Sequence, residues 1–206
     1  MTRQDGVVNL DDITPPDTPA ARAALELATA YHSESLLNHT IRSWIWALGF
    51  AELEGHRDLD HELLYVAALL HDIGIVEAFD NHTLAFEDAG GHVAIALTTG
   101  AGWSPERRIR VHEVIERHMW TSVDPAEDAE GYLLEIATGL DISGARAGAL
   151  SRSFEDAVLD RYPRGTLAAE FSACAVDQAR RKPQSSAARI VAGGVERKLA
   201  ENPLER

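Results

Sequence analysis

The stretch "ELLYVAALLHDIG", residues 62–74, is an apolar run that ends in an imidazole and a carboxylate. Residues 63–70 are uninterrupted apolar side chains, and His71 and Asp72 follow directly, then Ile73 and Gly74. Asp60 is a good N-cap and Gly74 a good stop, so the run reads as a buried helix rather than a strand. Ionisable groups in apolar surroundings cost free energy unless a neighbour, water or a metal ion compensates them. Adjacent helical residues point about 100° apart, so His71 and Asp72 cannot share one side-facing stripe. At a helix end both can reach a cation placed off the terminus, where the last carbonyls also favour positive charge. Imidazole and carboxylate together suit iron, zinc or manganese.

Outward from this stretch the chain reads as helix after helix. Thr18 and Pro19 open "AARAALELATAYH" as cap and first-turn residue. Ser33 and Gly55 bracket "SESLLNHTIRSWIWALGFAELEG", in which Leu37, Ile41, Trp44, Ile45 and Leu48 recur at helical spacing. Residues 73–85 read as a loop. Helices are expected over 86–98, after Ser104-Pro105, up to about Gly144, and near 147–160, 165–181 and 185–200. No period-2 strand, internal repeat or low-complexity segment is found. The fold class is therefore all-α, a single-domain irregular helical bundle. Residues 1–19 are expected as a polar N-terminal arm, 20–183 as the metal-binding helical domain, and 184–206 as a C-terminal helix on the domain or on a partner chain.

Composition bounds the partners. The chain has 206 residues, 45% hydrophobic and 25% charged, with a formal net charge of -14. Lys182 and Lys198 are its only lysines. So acidic a chain, with no basic stripe, argues against nucleic-acid binding. No run is long enough to span a bilayer and no apolar signal region opens the sequence, so no membrane partner and a cytoplasmic location are expected. A lone cysteine, Cys174, leaves no intrachain disulfide. A homo-oligomer is left open.

Other helices also carry ionisable groups beside apolar stripes. His39 follows Ser35 and Leu36 by a turn. His118 lies above Val111, Val114 and Ile115, and Asp141 lines up with Leu134, Ala137 and Thr138. His32, His56, His61, His82 and His112 read as surface or capping residues. Trp44 and Trp46 read as core, with Trp46 also on the side of His39.

Five segments occur in one order: "PPDTPAARAALELA", "LLNHTIRSWIWA", "ELLYVAALLHDIG", "LAFEDAGGHVA" and "LLEIATGLDISG". Together they resemble the HD superfamily of metal-dependent hydrolases, and within it the cyanamide hydratase-like subgroup. The resemblance implies the HD-domain fold and one divalent transition metal (Zn, Fe or Mn) ligated by His39, His71, Asp72 and Asp141. An ion with an open coordination position acidifies bound water toward neutrality. Asn38 and Arg42 are candidates for orienting the ligands. Many HD proteins hold a second metal through two further histidines, for which the chain offers His92 and His118. In two-metal relatives the first of these stands four residues before a helix glycine; counting back from Gly90 gives Phe86. One metal is therefore expected. His118 and Glu87, together with Asp72, are the candidate catalytic groups.

The expected function is a metal-dependent hydrolase or hydratase that adds water to a small electrophile, cyanamide- or nitrile-like or related. The alternatives are an HD-type phosphohydrolase acting on a phosphoester or nucleotide, a di-iron oxygenase if His92 and His118 hold a second metal, and a non-catalytic metal-stabilised helical module. Between Glu34 and Gly100 the only arginines or lysines are Arg42 and Arg57, too few for a polyphosphate cradle.

Overall fold

The computed structural model describes residues 9–205; residues 1–8 of the expected arm lie outside this range. Ten α-helices occur among the described residues, with no strand. They are α1 (Pro19–Tyr31), α2 (Glu34–Glu54), α3 (His61–Leu70), α4 (Phe86–Gly100), α5 (Pro105–Arg117), α6 (Ala129–Ser143), α7 (Arg152–Arg161), α8 (Leu167–Arg181), α9 (Ser186–Ala192) and α10 (Val195–Ala200). No helix among them is long and apolar enough to cross a membrane.

Local chemistry sets the starts. The side chains of Thr18, Ser33, Asp60, Ser104, Asp128, Ser151 and Ser185 each accept a backbone N–H three residues on, which satisfies a donor the helix cannot. Gly55 and Gly144 close α2 and α6 in the left-handed conformation.

Packing then places α2 at the centre, against α3, α6 and α8. α3 is covered by α1, α2 and α5, and this explains its apolar character all round: every residue from Leu63 to Leu70 is buried. A second apolar cluster joins Leu36, Ile75 and Phe86 to Phe171 of α8 and to Ala187, Val195 and Leu199 of α9 and α10. The C-terminal segment is two short helices rather than one, parted at Gly193 and Gly194. The described part of the N-terminal arm is not wholly polar surface: Leu10, in a short 3-10 helix, is buried in the main core.

The decisive segment differs from its expected form in one respect. α3 ends at Leu70 rather than running to Gly74, and Ile73–Ile75 form a 3-10 turn. Asp72 breaks from helical geometry with φ -103° and ψ 5°. Gly74 faces the start of α4 so closely that a Cβ there would lie 2.1 Å from the Phe86 carbonyl oxygen and 2.9 Å from the Gly90 nitrogen. Both obstacles are backbone, so neither can swing away. Gly74→Ala is expected to lower stability by about 1–3 kcal/mol and the melting temperature by about 2–12 °C for a chain of this size. Differential scanning calorimetry checks this; an unchanged melting temperature would show that the α3–α4 approach is not a constraint.

Candidate metal centre

Four buried ionisable side chains from three regions of the chain meet beneath the end of α3. His39 projects from α2, His71 caps α3, Asp72 starts the 3-10 turn, and His118 caps α5. The Nε2 atoms of His39 and His71 are 3.1 Å apart. Asp72 Oδ2 lies 3.3 Å from the first and 3.4 Å from the second. His118 Nε2 is 3.9 Å from the other carboxylate oxygen, Oδ1.

The far side of each ring decides what its Nε2 can do. His71 Nδ1 donates to the Ala68 carbonyl at 2.7 Å, and His118 Nδ1 donates to the Ile115 carbonyl. A carbonyl only accepts, so in both rings the proton sits on Nδ1 and Nε2 offers a lone pair. Both acceptors are carbonyls three residues back at a helix C-terminus, groups that have no partner within the helix. His39 Nδ1 bonds to Asp141 Oδ2 at 2.7 Å, which aims its Nε2 the same way. Acceptor atoms of three imidazoles and one carboxylate thus converge, and among the described residues neither oxygen of Asp72 has a hydrogen-bond partner. Such a set demands a proton or a metal cation. His39, His71 and Asp72 each present one ligand atom to a common point, and two imidazoles with a carboxylate are a donor set for a divalent transition metal.

Electrostatics point the same way. Burial opposes charge on His39, but the Asp141 and Asp72 carboxylates on either side of its ring outweigh burial and raise its pKa, so positive charge, a proton or a metal cation, is favoured there. Burial also opposes charge on Asp72, yet the His71 and His39 rings hold its carboxyl well below the usual range. His118 goes the other way. Burial, with His71 beside it, pulls its pKa down to about 3, so it is neutral at physiological pH.

Asp141, expected as the fourth ligand, is differently placed. Arg42 grips it through Nε at 2.8 Å and Nη2 at 2.7 Å, and Trp46 Nε1 donates to Oδ1 at 2.9 Å. With His39 on Oδ2, both oxygens are engaged on the far side of the His39 ring from Asp72. Asp141 therefore holds His39 from behind. His39, Arg42 and Trp46 lie at i, i+3 and i+7 of α2, one face of the helix, so this trio was legible from spacing once Asp141 was known to face it. Trp46 is core, as is Trp44, and its indole also carries this polar duty. Arg42 spends its remaining Nη1 on the carbonyls of Tyr162 and Pro163. Asn38 does not reach the cluster; its amide donates to the Pro163 carbonyl.

His92 is separated from His118. It lies on an exposed face of α4, its ring stacked on His112, so the expected alternative of a second metal shared by His92 and His118 is corrected: α4 turns His92 outward. Glu87 is buried in the first turn of α4, where it accepts a hydrogen bond from Ser186 of α9 at 2.7 Å. Its pKa is raised by burial. The residue missed from sequence is His32. It ends α1 as a cap, but its ring is buried with both nitrogens unpartnered, close enough to Asp72, His71 and His39 to feel their charges. Burial pulls its pKa down to about 4. The helix break at Ser33 hides this, because periodicity cannot be carried across it.

His39, His71, Asp72 and His118 open onto a cavity of about 350 Å³. Met119, Ile142, Phe171, Ile190 and Val195 give it apolar walls, while Glu135, Arg189 and Lys198 add charge.

Arg42→Ala would leave Asp141 buried with only one arginine contact, the longer one to the Arg164 guanidinium, 3.5 Å from Oδ2. The expected loss is about 3–5 kcal/mol, read from urea unfolding; a loss below 1 kcal/mol would show that the pair is not what keeps Asp141 charged.

The sequence profile of the HD domain matches residues 36–140, which span His39, His71, Asp72 and His118 and stop one residue short of Asp141. Two yeast proteins are similar over more of the chain. Cyanamide hydratase DDI2 and cyanamide hydratase DDI3 of Saccharomyces cerevisiae are each 29% identical over 174 residues, 83% of this chain and 77% of theirs. The profile covers half of the chain and includes the buried cluster just described: this protein belongs to the HD domain family of metal-dependent hydrolases.

Proposed function

We propose that this chain adds water to a small electrophilic substrate, of the nitrile or cyanamide kind, in the cavity above Asp72. The observation that carries the reading is the convergence of three Nε2 lone pairs on a buried carboxylate without hydrogen bonds, at the floor of an apolar cavity. The likeness to yeast proteins named cyanamide hydratases supports it.

His39, His71 and Asp72 would hold one divalent cation, zinc, iron or manganese, with Asp141 fixing the orientation of His39. When bound, such an ion supplies Lewis acidity to an electrophile and acidity to water. His118 contributes the neutral imidazole. Its Nδ1–H is tied to Ile115, so Nε2 is free to take a proton from water and return it to the substrate nitrogen. For a nitrile-like group the balance is one water oxygen to carbon and both of its protons to nitrogen, as the two C–N π bonds give way to C=O and N–H bonds, with no leaving group and no redox partner. Phe171, Ile142 and Val195 exclude bulk water from that exchange. Glu87 holds α9 over the cavity through Ser186 rather than moving a proton.

A second reading, phosphoester hydrolysis, draws on Arg189 and Lys198. They line the same cavity, Lys198 being one of only two lysines in the chain. Cations so placed suit an anionic substrate. The readings separate in one screen: cyanamide, nitriles, nucleotides and simple phosphoesters offered to zinc-, iron- and manganese-loaded protein, with Lys198→Ala in parallel. Hydration of cyanamide or a nitrile, unchanged in Lys198→Ala, is expected. Turnover of phosphoesters alone, lost in Lys198→Ala, would replace the first reading by the second.

Two variants test the assigned roles. Asp72→Ala is expected to abolish binding at the centre, whereas Asp141→Asn weakens it by about 10–100-fold, by calorimetric zinc titration. Equal loss in both would make Asp141 a direct ligand. His118→Ala is expected to lower kcat by about 10²–10⁴-fold with the metal retained at the centre. Loss of that metal would instead make His118 a ligand.

A further inference from the structure

We infer that the chain carries a second, separate metal site on its outer surface, formed by Asp88 and His92 of α4 and His112 of α5. The three side chains are already assembled. His112 Nε2 is 2.9 Å from Asp88 Oδ1, and His92 Nε2 is 3.7 Å from the same oxygen. The two imidazole rings stack with centroids 5.0 Å apart and planes 27° apart, so both nitrogens face one side. Each residue offers one ligand atom, and the three atoms lie within 4.8 Å of one another. Ligands bound to zinc at about 2.0–2.1 Å stand roughly 3.3 Å apart around a tetrahedron. The observed separations bracket that value, so an ion could seat itself with small side-chain adjustments.

The backbone is shaped for this approach. Gly91 lies between Asp88 and His92, and a Cβ on it would fall 1.7 Å from His112 Cδ2. Only a glycine there lets the His112 ring lie across α4 and reach Asp88. An ordinary salt bridge between the helices would need neither the glycine nor a second imidazole stacked on the first. The site is open, too: the His92 side chain is 58% exposed and that of Asp88 33%, so an ion enters without opening the fold and water completes its shell.

Two imidazoles and one carboxylate favour borderline divalent metals such as zinc, nickel, cobalt or copper over calcium or magnesium. Bound there, an ion would cross-link α4 to α5. Asp88 follows Glu87, and His118 caps α5, so the link braces the two elements that flank the buried centre. A consequence follows for stoichiometry. Two metals per chain would not signify a dinuclear centre, because the second ion would sit with His92 and His112, apart from His118.

The test is a zinc titration of chelator-stripped full-length protein, followed by elemental analysis and repeated with cobalt for its visible absorption. Wild type is expected to bind two equivalents, and His92→Ala and His112→Ala one each. Asp72→Ala is also expected to keep one equivalent, with a cobalt spectrum that disappears in the Asp72→Ala/His92→Ala double variant. Gly91→Ala, which displaces His112 without touching a donor atom, should weaken the outer equivalent alone. Because His92 is exposed, its variant is expected to fold with wild-type circular dichroism. The inference is overturned if His92→Ala and His112→Ala bind as much zinc as wild type, or if Asp72→Ala binds none. Failure of the buried centre would show instead as loss of the equivalent that persists in His92→Ala.

Discussion

A single buried carboxylate sets the terms for much of this molecule. Asp72 is ionised at the bottom of an apolar bundle, and among the described residues no arginine or lysine reaches it. Its sister, Asp141, has the Arg42 guanidinium in a two-pronged grip. The contrast separates two ways of keeping a buried charge. Asp141 is neutralised by a fixed cation and then used to hold His39. Asp72 is surrounded by imidazoles instead, a setting that a cation from outside would complete. A carboxylate already neutralised by arginine would be a poor ligand, and one without any cation would be an expensive core residue.

The scaffold supplies the imidazoles by one repeated device. His71 and His118 each follow the last residue of a helix, and each ring donates to the carbonyl three residues back. The unsatisfied carbonyls at a helix end therefore fix the tautomer, and the bundle has only to bring the two helix ends together. His39 is held differently. It sits mid-helix, where carbonyls are taken, so its Nδ1 needs a side-chain acceptor from another helix, and Asp141 provides it. That in turn requires Arg42 and Trp46 on the same face of α2. The close contact at Gly74 completes the arrangement by pressing α4 onto the turn that carries Asp72.

Above this floor part of the cavity wall comes from outside the profile-matched region. Ile142, Phe171, Ile190, Val195 and Lys198 all lie beyond residue 140. Met119, Trp120, Thr121, Glu135, Thr138 and Gly139 complete the walls from within the matched region. One HD-type centre can serve different substrates as the C-terminal helices change.

The helices were legible because their signals are local. Caps at Thr18, Ser33, Asp60 and Ser104 mark starts through hydrogen bonds three residues long, and apolar spacing marks the buried faces. The His-Asp pair was legible for the same reason: an apolar run must end somewhere, and ionisable residues at its end need a partner. The early end of α3 was not, since it depends on α4 pressing against Gly74 from outside the segment.

Which histidines gather was likewise beyond the sequence. His118 read as a group above an apolar stripe, His92 only as its possible partner on a second metal, and His32 as a surface cap. Periodicity assigns a side chain to a face, but only packing decides which faces meet. It turned His118 and His32 inward, sent His92 out to meet His112, and set Asp141 behind His39. The sequence by itself determined an all-helical chain that delivers an imidazole and a carboxylate to the end of a buried helix. The tertiary structure decided which lone pairs converge there, because that depends on the directions of rings carried by helices distant in sequence.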